Sequence, residues 1–266
     1  MARDDFDGQQ LTLYVPREAI EAATADETFV HALRLARATN TMRFVIDHAS
    51  SDTESNSAEA VRARFTGGVL MAAAVFEALS VLNDKKFQRV MANVPGMEAL
   101  DALRAHPVAT AMQGGYLRRV RNKLAFHYVA NDIREAMKRR QPNSVMAVQW
   151  DISPSSGVFY VVPELDVVLS VFDDEVPSDA AVLALQQQFP HTHLLQIPNE
   201  EMTADTARYM RCLNAVLVLA FALCEATDQL LVPMFEAMVP PEPETSGGVA
   251  VVCTQDPAPT GLTKCR

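Results

Sequence analysis

Two apolar stretches at helical spacing constrain this chain more than any other feature. Phe65–Leu82 is apolar apart from Glu77 and a Gly67-Gly68 pair, and Leu213–Cys224 carries no charged residue. The second is about a dozen residues long, short of the roughly 20 that a spanning helix needs, and the first is interrupted by a carboxylate. Both are therefore expected to be buried helices of a soluble protein. The chain has 266 residues, 49% of them hydrophobic, which is enough for one sizeable core. That excludes a disordered chain, and only 10 Gly exclude a collagen-like one. Residues 1–10 are polar and acidic with no apolar signal region, so a cytoplasmic location with reduced thiols is expected. Four Cys, none in a Cys-x-x-Cys pair, speak against a disulfide scaffold or a structural zinc site. Cys212 and Cys224 read as core fillers.

Further helices follow from start and stop signals. Pro16 opens a helix over Arg17–Ala23. Thr24 or Asp26 caps the next, which runs to about His48 with Phe29, Leu33, Ala36, Phe44 and Val45 at helical spacing. A third is expected over Ala58–Lys85, ended by Asn83-Asp84. Val94-Pro95-Gly96 makes a connection, Met97–Ala105 a short helix, and His106-Pro107 starts another. Helical character then persists to Arg140, loosened at Gly114-Gly115. Short runs rich in Val, Phe, Tyr and Trp (Val145–Trp150, Val158–Val162, Val167–Phe172) predict a small antiparallel β insertion at 145–172. Ser178 caps a helix to about Phe189, and Thr203 caps a long one over Ala204–Met238. The architecture expected is a mainly α helical bundle with a β insertion, one domain over 1–239. The tail, 240–266, carries Pro240, Pro241, Pro243, Pro257, Pro259 and Gly247-Gly248 and is expected to be disordered.

The formal charge is −10, but it is unevenly spread. Between Arg118 and Arg140 eight cations face only Asp132 and Glu135, a local +6 that leaves −16 on the rest of the chain. A cationic strip on an acidic body is a candidate phosphate-binding face, against the plainer reading of a solvated helix face. Inside the strip lies Arg121-Asn122-Lys123-Leu124-Ala125-Phe126-His127-Tyr128. On a regular helix Arg121 and His127 are about 9 Å apart in rise and roughly 120° apart in rotation, so they do not bond each other directly. They are placed to flank one phosphodiester, or to meet a second pair across a two-fold axis. An Arg fork suits a phosphate, and a His near neutral pH suits proton transfer. Together they meet the minimum for metal-free RNA cleavage: a base for the 2′-hydroxyl proton, a cation for the phosphorane, an acid for the leaving 5′-oxygen.

Arg121, Asn122 and His127 resemble the signature of the HEPN superfamily: an Arg, a polar residue that is most often Asn, and a His after four to six intervening residues. The resemblance implies an all-helical up-and-down bundle, a homodimer with a composite site, and often a metal-independent endoribonuclease. Such proteins serve as toxins, phage-defence effectors or RNA-processing factors. It casts His127 as general base or acid, Arg121 as the phosphate-holding group, and Asn122 as the residue that orients Arg121 or the 2′-hydroxyl. Lys123, Tyr128 and Arg118 are supporting substrate-binding candidates. The expected partners are RNA, a second copy of the chain, and an antitoxin or regulatory protein; no cofactor, metal or membrane is expected. The alternatives are a non-catalytic module of the same type binding RNA, a nucleotide or a protein, and a structural protein in which the motif is an ion-pair network. Glu77 bears on that choice. A carboxylate on an otherwise apolar helix needs a partner, and Arg121 is the candidate, with Glu98 the other carboxylate in question.

Other signals carry less. His191-Thr192-His193 lacks a third ligand at telling spacing. His31 and His48 are expected at the surface or an interface. The Gly-Gly pairs lack a phosphate-loop context and read as close packing or bends. Trp150 reads as a packing anchor, and no Ser or Cys has a nucleophile context.

Overall fold

The computed structural model of the chain describes residues 15–50, 58–122, 149–150, 158–159, 177–189 and 204–239. Pro16 leads into α1 (Arg17–Ala23), which buries none of its residues. Asp26 then starts α2 (Glu27–Ser50), its carboxylate accepting the Thr28 N–H at 2.8 Å. α3 (Ala58–Leu82) ends at Asn83-Asp84, three residues short of Lys85. The reason is local. The Asp84 carboxylate accepts the N–H groups of Lys86 (2.8 Å) and Phe87 (3.5 Å), so the residue that stops α3 also caps a further helix, α4 (Lys85–Met91). The chain bends by 63° there. This α4 is an element that the sequence pattern did not announce.

Gly96, at φ +91°, brings the chain into α5 (Met97–Ala105). His106 separates it from α6 (Pro107–Gly114), with its Nδ1 accepting the Val108 N–H at 3.2 Å and Pro107 in the first turn. Gly115, at φ −106° and ψ −103°, breaks the helix before α7 (Tyr116–Val120). Two two-residue strands, β1 (Gln149–Trp150) and β2 (Val158–Phe159), pair antiparallel with Gln149 opposite Phe159 and Trp150 opposite Val158. Ser178 caps α8 (Asp179–Gln188) through its hydroxyl, which accepts the Ala181 N–H. The last helix is α9 (Ala204–Glu236), with Pro233 inside its final turn. The remainder of the expected β insertion, the helix expected between Lys123 and Arg140 and the tail at 240–266 lie outside the described residues.

The described residues are mostly helical and pack as a bundle. The most extensive packing is α2 on α3, and α9 lies against both. α5 seals one end by packing on α9 and α3, α7 lies on α3 and α6, and α8 covers α9. One cluster of buried apolar side chains runs through all of these layers, from Ala32 and Leu35 on α2 through Val75 and Leu79 on α3 to Leu219 and Leu223 on α9. Its size sets the stability, since each fully buried Leu or Val contributes about 1.5–3 kcal/mol relative to exposure. α9 is long and apolar enough to cross a membrane by length and composition, and 61% of its most apolar stretch is buried against the other helices. Cys212 and Cys224 lie in that buried stretch, as expected.

Polar links fix the register of α2 against α9. The Arg43 guanidinium donates to the Cys224 carbonyl at 3.1 Å and pairs with Asp228 at 2.7 Å. Between α3 and α9 the spacing is set by Gly68, where a Cβ would lie 3.3 Å from the Leu213 Cδ1. Close helix packing is thus the role of the second glycine of the first pair. His31 corrects an expectation: it is 5% exposed rather than at the surface, with its ring edge-to-face on Phe87. The cover comes from α4, the helix the pattern missed.

Candidate functional site

Three of the proposed site residues meet at one place. α3 supplies Glu77 from the end of its apolar run, and the small neighbours Ala73, Ala74 and Ala78 are buried beside it. α7 docks on α3 through Tyr116, Leu117 and Val120, all buried. That docking turns the next residue, Arg121, back toward α3. Its Nε donates to the Glu77 Oε1 at 2.9 Å, and its Nη1 donates to the Asn122 Oδ1 at 3.1 Å. The chain opens into a π turn at Arg121–Asn122, a wider turn than the α-helix before it, and such turns are frequent at functional sites.

The two anchors act on different parts of one planar group. A carboxylate on Nε and an amide oxygen on Nη1 together fix the plane of the guanidinium, which one contact would leave free to rotate. Glu77 and Arg121 are 47% and 36% exposed on their side chains, so the pair remains partly solvated. A pair of that exposure is worth about 0–1 kcal/mol. It orients the Arg more than it stabilises the fold.

Arg118 sits one turn before Arg121 and is exposed, and Arg119 is half-buried between them. These are the described residues of the cationic strip. Lys123, His127 and Tyr128 lie outside the described residues. Glu98 is not the partner of Arg121; its carboxylate accepts the Gly96 N–H at 3.1 Å. Among the described residues no group of three or more His, Cys, Asp or Glu side chains is arranged to hold a metal ion.

A second polar cluster was not anticipated. Thr24, Ala25, Glu27, Val30, His31, Arg34 and Lys86 line an open depression of about 250 Å³ where α1, α2 and α4 meet. Its charges are mutually paired: Lys86 with Glu27 at 2.7 Å, and Arg34 with Asp84 at 3.3 Å and with the His31 Nδ1 at 3.1 Å. Lys86 holds the Glu27 carboxyl below its usual range, and the Lys86 N–H does the same for Asp84. The signal available in the sequence was His31 and Arg34 one turn apart, but their meaning depends on α4.

No protein family, curated protein or solved structure matches the chain.

Proposed function

We propose that this protein is a metal-independent endoribonuclease of the HEPN type, acting as a homodimer and cleaving RNA through its 2′-hydroxyl. The observation that supports it most is the double anchoring of Arg121 by Glu77 and Asn122. A guanidinium pre-oriented before substrate arrives stabilises developing phosphorane charge without reorganising at the moment of reaction. In this reading His127 of one protomer removes the 2′-hydroxyl proton, the 2′-oxygen forms a bond to phosphorus, and the bond to the 5′-oxygen breaks. His127 of the other protomer gives that oxygen a proton. The products are a 2′,3′-cyclic phosphate and a 5′-hydroxyl. Arg118, Lys123 and Tyr128 would hold flanking nucleotides, and the activity would suit a cytoplasmic toxin or phage-defence effector restrained by an antitoxin or regulatory protein.

A second reading is a non-catalytic module that binds RNA, a nucleotide or a protein. It is favoured by the −16 carried outside the cationic strip, which opposes general RNA affinity.

The test is RNA cleavage in EDTA by wild type, His127→Ala, Arg121→Ala and Glu77→Gln, each checked for fold by circular dichroism. Removing either partner of the Glu77–Arg121 pair is expected to cost under about 1 kcal/mol of stability, so lost activity reports on the site. Loss of cleavage in folded His127→Ala and Arg121→Ala supports the nuclease. RNA binding without cleavage by wild type moves the conclusion to the binding module. Unfolding of the variants makes the motif structural.

A further inference from the structure

His31 borders the depression between α1, α2 and α4 and is only 5% exposed. The Arg34 Nη1 stands 3.1 Å from its Nδ1. A guanidinium has donors and no acceptor, so Arg34 donates, Nδ1 accepts, and the ring carries its proton on Nε2. Among the described residues that Nε2–H has no acceptor. Phe87 does not supply one: with 5.8 Å between ring centroids, its face is too distant to take an N–H. Nor is the nitrogen sealed in the core. Among the described residues the buried side-chain atoms without a partner are the Arg104 Nε and the Thr227 Oγ1, and the His31 Nε2 is not one of them. It therefore reaches open space, and the open space that His31 borders is the depression. A donor set in the wall of a depression, with its tautomer fixed from behind by Arg34, is matched by an acceptor atom of a ligand.

We infer that the depression binds the carboxylate of a small aliphatic acid, with one oxygen accepting from the His31 Nε2–H and with Arg34 and Lys86 supplying positive charge from the rim. Both cations have donors to spare. The contacts with His31 and Asp84 occupy three of the five N–H groups of Arg34, and Glu27 occupies one of the three on Lys86. Charge limits the ligand. Glu27 and Asp84 balance Lys86 and Arg34, so these four groups sum to zero. A single negative charge is tolerated there, whereas a dianion is repelled by two carboxylates. Size and lining limit it further. The depression holds about 250 Å³, and Ala25 and Val30 on its wall suit a short hydrocarbon chain. Drug-sized ligands take pockets of about 300–1,000 Å³. The site lies on α1, α2 and α4, whereas Arg121 and Glu77 lie on α7 and α3, so it is independent of the RNA chemistry proposed above.

The experiment titrates butyrate into the full chain, labelled with nitrogen-15 at histidine, at constant ionic strength. The His31 Nε2 signal, assigned by its loss in His31→Gln, is expected to shift saturably with a dissociation constant of about 1–10 mM. Butylamine and chloride should leave it in place. Methyl phosphate, mostly a dianion at about pH 7.5, should bind about tenfold more weakly or worse. Val30→Glu adds a carboxylate at a rim position that is 41% exposed. It should leave the circular dichroism unchanged and weaken butyrate binding about tenfold or more. His31→Phe keeps a ring against Phe87 and removes the donor, and saturation-transfer signals from butyrate should be lost with it. If His31→Phe does not fold, Val30→Glu decides. No saturable shift, an equal response to butylamine or chloride, methyl phosphate binding as tightly as butyrate, or unchanged binding in folded Val30→Glu each overturns the inference.

Discussion

At the scale of single residues, Gly96 is held by two independent constraints. Its φ of +91° lies where an L side chain is strained, and a Cβ there would sit 2.8 Å from the Gln229 carbonyl oxygen and 3.0 Å from the Leu230 Cα. Pro233, four residues on, has no N–H to donate to that carbonyl, as a residue at its place in a regular helix would. The start of α5 packs into the gap that the proline leaves in α9. Gly96→Ala is expected to lower stability by about 2–4 kcal/mol, from the left-handed backbone and from the clash with atoms that cannot rotate away. Urea unfolding measures it, and a loss under about 1 kcal/mol would show that α5 can shift off α9. The Glu77–Arg121 contact is the other residue-scale result. It was legible in the sequence because a single carboxylate in an apolar helix demands a partner, and only a cation near that helix satisfies the demand. His31 was not legible. Nothing in its own helix says that Phe87 will cover it.

Elements are ruled by their ends. His106 caps α6 with an imidazole nitrogen that must be unprotonated to accept the Val108 N–H, and burial holds its pKa below the usual value for His. A folded-state pKa lowered in this way favours the neutral ring. The stability it contributes is therefore present above about pH 6.5, the unfolded value, and is lost as pH falls through the lower folded value. NMR titration should place the His106 midpoint below about 6.5. His106→Asn, which caps without titrating, should flatten the change in stability across that interval; a midpoint at or above 6.5 would contradict the cap. The same logic of ends explains which elements the sequence announced. α1 after Pro16, α5 after Gly96, α6 after His106 and α8 after Ser178 each start at a residue whose chemistry fits one role. α4 escaped because Asp84 serves two roles. Read from the left it terminates α3, and its action as a cap for Lys86 and Phe87 shows only when the 63° bend is seen.

For the whole molecule, the core takes the Tyr116 ring out of water and half-buries Tyr209 against it, and this sets an upper pH limit on the fold. Tyr116 is buried on α7 and Tyr209 packs from α9 toward Gly68, with Cys212 close to both. Burial first, and then the neighbouring Tyr209 and Cys212, push the Tyr116 phenol well above its ordinary value; burial and Cys212 push Tyr209 up to about 12. Both phenols are neutral in the fold and ionise near pH 10 once the chain unfolds. The unfolded state therefore releases protons first. Stability is fully present below about pH 10 and falls as pH rises toward 12 and beyond. Because these two side chains lie where α3, α7 and α9 meet, their ionisation should accompany the loss of helix packing rather than precede it. Following the phenolate absorbance and the far-ultraviolet circular dichroism in one alkaline titration tests this. The last tyrosines to ionise should do so together with the loss of helicity, and Tyr209→Phe should move that transition to higher pH. Ionisation of every tyrosine near pH 10 with the helices intact would mean that the α7–α9 junction is open to water. The surface that carries Arg121 would then be less firmly placed than its contacts with Glu77 and Asn122 imply.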